Sequence, residues 1–164
     1  MATTKIDPIT TEIIRSAFTA AADEMNATLI RSAYTPVIYE MKDCSVALLS
    51  ADHRILGQSA GLPIFLGNLE ICTRLTEEQY GRDVWQPGDV WIMNDSYLTG
   101  THLNDMSVFG PIFHEGELVG FGACRAHWLD VGAKDPGGAM DSTEIWQDGI
   151  RIPPLKVVEG GVQR

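Results

Sequence analysis

The sequence predicts an α+β fold in which a long N-terminal helix packs with mixed, mainly antiparallel strands and short helices. Three observations carry that prediction. Apolar residues recur at threes and fours along the first segment, and later segments are short β-like runs joined by hairpin signals. The helical stretches bracket these runs instead of alternating with them, which argues against a βαβ parallel sheet.

Asp7-Pro8 opens the first helix, because Asp accepts hydrogen bonds from first-turn amides and Pro has the φ that suits the first helical position. Ile9, Ile13, Ala17, Ala20, Ala21, Met25, Leu29 and Ala33 form its apolar face, about seven turns long, up to Thr35-Pro36. The many alanines on that face predict close approach by another element. Ser45-Val-Ala-Leu-Leu49 and Arg54-Ile-Leu-Gly57 then read as a hairpin about Ser50–His53. Residues 68–80 read as a second helix closed by Gly81. Gln86-Pro-Gly-Asp89 is a turn feeding a strand over 90–93, and strands over 106–113 and 117–128 flank the hairpin signal His114-Glu-Gly116. Asp141, with Glu144 three residues on, predicts a capped short helix ending at Gly149. The run from Arg151 to Val158 reads as extended, after which the sequence stops without a closing element.

With 164 residues, 45% apolar and 21% charged, the chain is long enough for one hydrophobic core. Twelve Lys and Arg against 22 Asp and Glu leave a net charge of −10, which disfavours nucleic acid and anionic membrane surfaces as partners. The apolar runs are too short for a membrane span and the polar N-terminus is unlike a signal peptide. The three cysteines, Cys44, Cys72 and Cys124, form no CxxC pair and are expected as buried small side chains in a reducing, cytoplasmic setting.

No GxxxxGK[ST] phosphate loop and no GxSxG nucleophile elbow occur, so any ATP must bind another chain or domain. The four histidines divide in two. His53 and His114 fall in turns and are expected to be solvated. His102 lies in the polar loop Tyr97-Leu-Thr-Gly-Thr-His-Leu-Asn-Asp105, and His127 ends a strand, with Asp130 three residues later. Imidazoles and carboxylates in one loop cluster suit a divalent ion of the zinc, manganese or iron type, although His-x-x-Asp is a weak pattern and unrelated surface and core histidines share it. Asp43, just before an apolar run, is either a further ligand or a turn residue. Arg125, on the strand face of His127, suits contact with a substrate carboxylate or phosphate, or a structural ion pair.

Three longer stretches carry a resemblance. Asn94-Asp-Ser-Tyr-Leu-Thr-Gly-Thr-His102-Leu-Asn-Asp105, Arg125-Ala-His127-Trp-Leu-Asp130-Val-Gly and Thr143-Glu-Ile-Trp-Gln-Asp-Gly-Ile-Arg-Ile-Pro-Pro154 together resemble the hydantoinase B/oxoprolinase family, and Met41-Lys-Asp43-Cys-Ser-Val-Ala-Leu-Leu49 is similar to that family's early Asp-bearing motif. The resemblance implies a divalent metal held by Asp43, His102, Asp105 and His127, with Asp130 or Glu144 orienting a ligand imidazole from behind. It further implies a hetero-oligomer with a hydantoinase A-like subunit that binds ATP and Mg, acting on a small cyclic amide such as a hydantoin, 5-oxoproline or a lactam. A subunit of an acetone- or acetophenone-type carboxylase and a truncated, non-catalytic assembly module are the alternatives. Ser96 and Thr99 depart from the family's usual Pro and Gly at those places. Family members are much longer, so residues 1–164 are expected to be the N-terminal, metal-site-bearing portion of such a subunit.

Overall fold

The computed structural model describes residues 7–164. Helix α1 spans Pro8–Ser32, started by Asp7, whose carboxylate accepts the Thr10 amide at 3.1 Å. It stops just before Thr35-Pro36, and Thr35 instead caps the single turn α2, Pro36–Tyr39. Strands β1 (Cys44–Ser50) and β2 (Ile55–Gln58) form the expected hairpin. Helix α3 (Pro63–Tyr80) begins five residues ahead of the expected start, because Pro63 provides an N-terminal first turn that buries Phe65 and Leu66. Strand β3 (Val90–Met93), the single turn α4 (Ser96–Thr99), β4 (Asp105–His114) and β5 (Glu117–His127) follow. The chain then wanders through a 3₁₀ turn, Ile145–Gln147, into β6 (Leu155–Glu159) and β7 (Val162–Gln163).

The seven strands make one sheet in the order β2-β1-β5-β4-β3-β6-β7, and every neighbouring pair is antiparallel. The α+β class is as expected. Alternation along the central strands splits the core between the two faces. Ala47, Leu49, Phe109, Phe121 and Ala123 meet Leu66, Leu69 and Cys72 of α3 together with Trp85 and Trp91. On the opposite face Cys44 and Ala126 meet Leu29 and Ile30 of α1 and Ala33 just beyond its end.

The alanine-rich stretch of α1 does lie close to the sheet: a Cβ on Gly57 would sit 2.6 Å from the Phe18 carbonyl oxygen. The first turns do not share that burial. Ile9 and Ile13 are 70% and 64% exposed, so the apolar face expected from Ile9 to Ala33 is covered only in its second half. The expected capped helix from Asp141 is absent. Asp141 pairs with Lys134 at 2.7 Å and only a 3₁₀ turn forms, its Trp146 left 64% exposed, so no packed apolar face holds a longer helix. At the far edge a clasp holds the β6–β7 hairpin. The buried Asp89 carboxylate accepts the amides of Gln86 (3.2 Å) and Gly160 (3.0 Å) and pairs with Lys156 at 2.7 Å. No helix among the described residues is long and apolar enough to cross a membrane.

Candidate metal centre

Asp105 and His127 are directly opposite each other at the open end of the β4–β5 ladder. The carboxylate is 1% exposed, and its Oδ1 lies 2.8 Å from Nδ1 of His127. Three residues earlier His102 closes a tight turn: its amide donates to Asp105 Oδ2 at 2.9 Å and its Nδ1 stands 3.3 Å from the same oxygen. One carboxylate therefore fixes two imidazoles whose rings meet edge to face at 5.7 Å. Each ring turns Nδ1 toward Asp105, which leaves Nε2 for another partner. One ligating atom from each of the three residues falls within 4.8 Å of the others.

The environment tunes these groups together. Burial works to raise Asp105, but the hydrogen bonds from His127 and from the His102 amide, with the charges of both imidazoles, outweigh it and hold the carboxyl below its ordinary 3.8. The same bond to Asp105 raises His127 above its ordinary 6.5 against the effect of burial. Asp43 lies beside the trio without joining that tight set. Its backbone carbonyl receives the His127 amide at 3.0 Å, and its carboxyl is raised first by burial, with His127, Asp105 and His102 as its charged neighbours. Asp43 Oδ1 is buried with no hydrogen-bond partner. A carboxylate oxygen withdrawn from water without a donor is costly, and a cation beside it would supply what is missing. Two imidazoles and two carboxylates with an unsatisfied oxygen therefore fit a divalent ion of the zinc, manganese or iron type.

Arg125 is placed under the site and not in its opening. It is 0% exposed, bonding Ser107 (3.2 Å), Thr99 (3.3 Å), the Gly100 carbonyl (3.4 Å) and the Thr101 hydroxyl. Thr101 has φ +88°, a conformation a β-branched residue rarely adopts, and it immediately precedes His102. Arg125 thus grips the strained turn that carries His102; it makes no ion pair within 4.0 Å among the described residues, and its guanidinium is buried instead of lining the cavity. Asp130 is exposed and its Oδ1 accepts the amides of Gly132 and Ala133, shaping a turn where the sequence suggested support for an imidazole. Glu144 is exposed on the wall of the cavity above the centre.

That cavity, about 560 Å³, opens over His102 and His127 and is lined further by Tyr97, Asn104, residues 137–140 and residues 142–145. Two asparagines, which the sequence showed only as letters of a motif, assemble its walls. Asn94 is fully buried; its amide nitrogen donates to the carbonyls of Leu103 and Ile150, both at 2.8 Å, and its oxygen accepts the Ile152 amide at 2.6 Å. Asn104 ties Trp128 to the loop that carries His102, its amide nitrogen donating to the Trp128 carbonyl at 2.8 Å. An amide that both donates and accepts at a strand end was the available signal.

The hydantoinase B/oxoprolinase family matches residues 7–164, all of the described chain. The chain belongs to this family. It is 34% identical to the caprolactamase subunit beta of Pseudomonas jessenii over 97% of its own length and 27% of that subunit's. It is 33% identical to a 5-oxoprolinase of Dictyostelium discoideum, over 97% of its own length and 13% of that enzyme's. The hydantoinase B-like chain thus spans about a quarter, or less, of the length of these relatives. Its fold superposes on the crystal structure of the ATP-dependent caprolactamase of P. jessenii with a TM-score of 0.87, at 34% identity, covering 98% of this chain and 28% of that one. The nucleotide-free acetone carboxylase structure gives 0.83 at 26% identity, covering 96% and 21%.

Proposed function

We propose that this chain is the metal-holding, N-terminal part of a subunit of an ATP-dependent cyclic amidohydrolase, which opens a hydantoin, 5-oxoproline or lactam ring with a partner subunit that binds ATP. The observation that carries the proposal is the buried Asp105 carboxylate bridging two imidazoles at the floor of a cavity, with the unpartnered Asp43 oxygen beside them. Asp43, His102, Asp105 and His127 would hold the ion, which when bound supplies Lewis acidity toward a water or carbonyl oxygen. Asp105 keeps both rings oriented, Arg125 holds the turn that carries His102, and Asn94 and Asn104 keep the walls at a fixed spacing for the ring.

The need for ATP follows from the chemistry of the substrate. An unstrained cyclic amide opens to an amine and a carboxylate held close together, so reclosure has a high effective concentration and opening requires coupling. In this reading ATP and Mg bind a partner subunit in a hetero-oligomer, which agrees with the lack of a phosphate-loop motif in these 164 residues. The resemblance to acetone carboxylase supports a second reading, carboxylation of a ketone, which bicarbonate incorporation into product would distinguish.

Elemental analysis of the purified chain tests the centre. About one divalent ion per wild-type chain, absent from a folded His102→Ala/His127→Ala variant, is the expected result; a folded, metal-free wild type after incubation with zinc, manganese and iron overturns it.

A further inference from the structure

The cyclic amides named for the relatives differ in charge. 5-Oxoproline bears a carboxylate on its ring and caprolactam bears none, and identities of 33% and 34% do not choose between the two enzymes. The cavity wall does choose. Among the described residues no Lys or Arg lines it, whereas the carboxylates of Glu144 and Asp148 do. The cations on nearby segments are already engaged. Arg125 is shut beneath the Thr99–Thr101 turn. Arg151 stacks on the rings of Tyr97 and Trp146, 5.4 Å from each centroid, and faces Asp95 at 3.5 Å. Lys134 is paired with Asp141.

A doubly positive ion held by Asp43 and Asp105 would form a centre of zero formal net charge, which adds no long-range attraction for an anion. Glu144 and Asp148 then set the sign of the space above it, and the chain's net charge of −10 adds a repulsive background. The other wall residues, Leu103, Ala139, Met140 and Ile145 among them, offer apolar surface suited to ring methylenes.

Resting on the reading of this cavity as a cyclic-amide site, we infer that it takes a ring without a negative charge, a simple lactam or hydantoin, and that Glu144 and Asp148 turn away rings bearing a carboxylate. The discrimination works by repulsion, a way of achieving specificity that needs no added contact with the favoured ring.

2-Pyrrolidinone and 5-oxoproline test this directly, since they share one five-membered lactam and differ by the carboxylate. Saturation-transfer NMR on the whole chain, with and without Mn²⁺, ranks the two. 2-Pyrrolidinone is expected to bind about tenfold more tightly at low salt, as one or two like charges at this range predict, with the gap shrinking as salt is added. In Glu144→Gln/Asp148→Asn the gap falls below about threefold. Equal or tighter binding of 5-oxoproline, or a gap that survives the double variant, overturns the inference alone. Binding of neither ring overturns the reading of the cavity along with it. Water-proton relaxation reports Mn²⁺ binding separately, and the ranking holds in the metal-free chain too, so failure of the metal centre is distinguishable from failure of the selectivity.

Discussion

Two carboxylates, one near the middle of β5 and one at its C-terminal end, each face an imidazole, and they end in different states. Near Phe121, Glu77 accepts the Trp85 indole N–H at 2.8 Å, stands 3.4 Å from His53 Nε2 and pairs with Arg82 at 3.1 Å. His53 stacks on Phe121 at 5.1 Å, so it is mostly covered, not solvated as its turn position suggested; its φ of +63° folds the ring back onto the sheet. At the C-terminal end of the strand Asp105 meets two imidazoles and, among the described residues, forms no ion pair with Lys or Arg, although buried Arg125 is close enough to feel its charge. The Glu77 carboxylate is satisfied by its own cation, and the orphan of its cluster, the buried His53 Nδ1, lies away from the wall of the cavity over His102 and His127. The Asp105 cluster retains unspent nitrogens, an unpartnered carboxylate oxygen and an opening. A carboxylate beside a histidine is thus no metal signature in itself; leftover ligating capacity next to a cavity is what makes the Asp105 cluster the candidate.

Substitutions at the two sites should separate these states. The largest effect is expected from Asp105→Ala, which removes a proposed ligand and the support of both rings, weakening metal binding by more than about a hundredfold in calorimetric titration. Glu77→Gln should leave metal affinity within about twofold, and a comparable loss there would erase the contrast. Next comes Arg125→Met, which strips the Thr99–Thr101 turn of its clamp. It should cost about 2 kcal/mol or more in urea unfolding and about tenfold in metal affinity, with partial recovery in Arg125→Lys.

A smaller effect, about 1–2 kcal/mol of stability, is expected for Glu77→Gln. Burial acts to raise Glu77, but the Trp85 bond and the charges of His53 and Arg82 outweigh it and hold the carboxyl below its ordinary 4.5. A carboxyl lowered by folding contributes fully above its unfolded value, and the contribution fades as pH falls below about 4.5 and through the folded value. The variant should therefore show a flatter fall in stability over that acidic range, read by urea unfolding at stepped pH. The smallest effect belongs to His53→Asn, since Asn tolerates the left-handed backbone and the losses are the stacking on Phe121 and the charge contact with Glu77, together about 1 kcal/mol.

The sequence made His102, Asp105 and His127 legible as types in a loop cluster, and it showed the hairpin that brings them together. It could not show their register. Glu115 and Gly116 form a two-residue turn, both with positive φ, that pairs His114 with Glu117. Continued down the ladder, that pairing would set Asp105 opposite Ala126. A bulge between Ile112 and Phe113 moves the partner by one residue, onto His127. Nothing in the local composition announces it. The helices were legible where apolar periodicity is reinforced by caps, as at Asp7-Pro8, and misjudged at Asp141–Gly149, where a capping pattern stands without a packed apolar face behind it. Arg125 and His53 were misplaced for a common reason: burial of a polar side chain depends on partners distant in sequence, such as Thr101 and Phe121, which no local pattern reveals.

The clasp at Asp89 has a consequence in time. It joins Gln86 and Asp89 to Lys156 and Gly160, about seventy residues further along the chain, so its contacts require closure of a long loop and are entropically late to form. β4 and β5, joined by a two-residue turn, can pair well before it. The same hairpin, β6 and β7, is held by an edge ladder and one buried carboxylate, which makes it a natural unit of partial opening. In hydrogen exchange its amides should be lost ahead of those of β4 and β5, so that the outer edge of the sheet loosens while the strands bearing Asp105 and His127 remain protected.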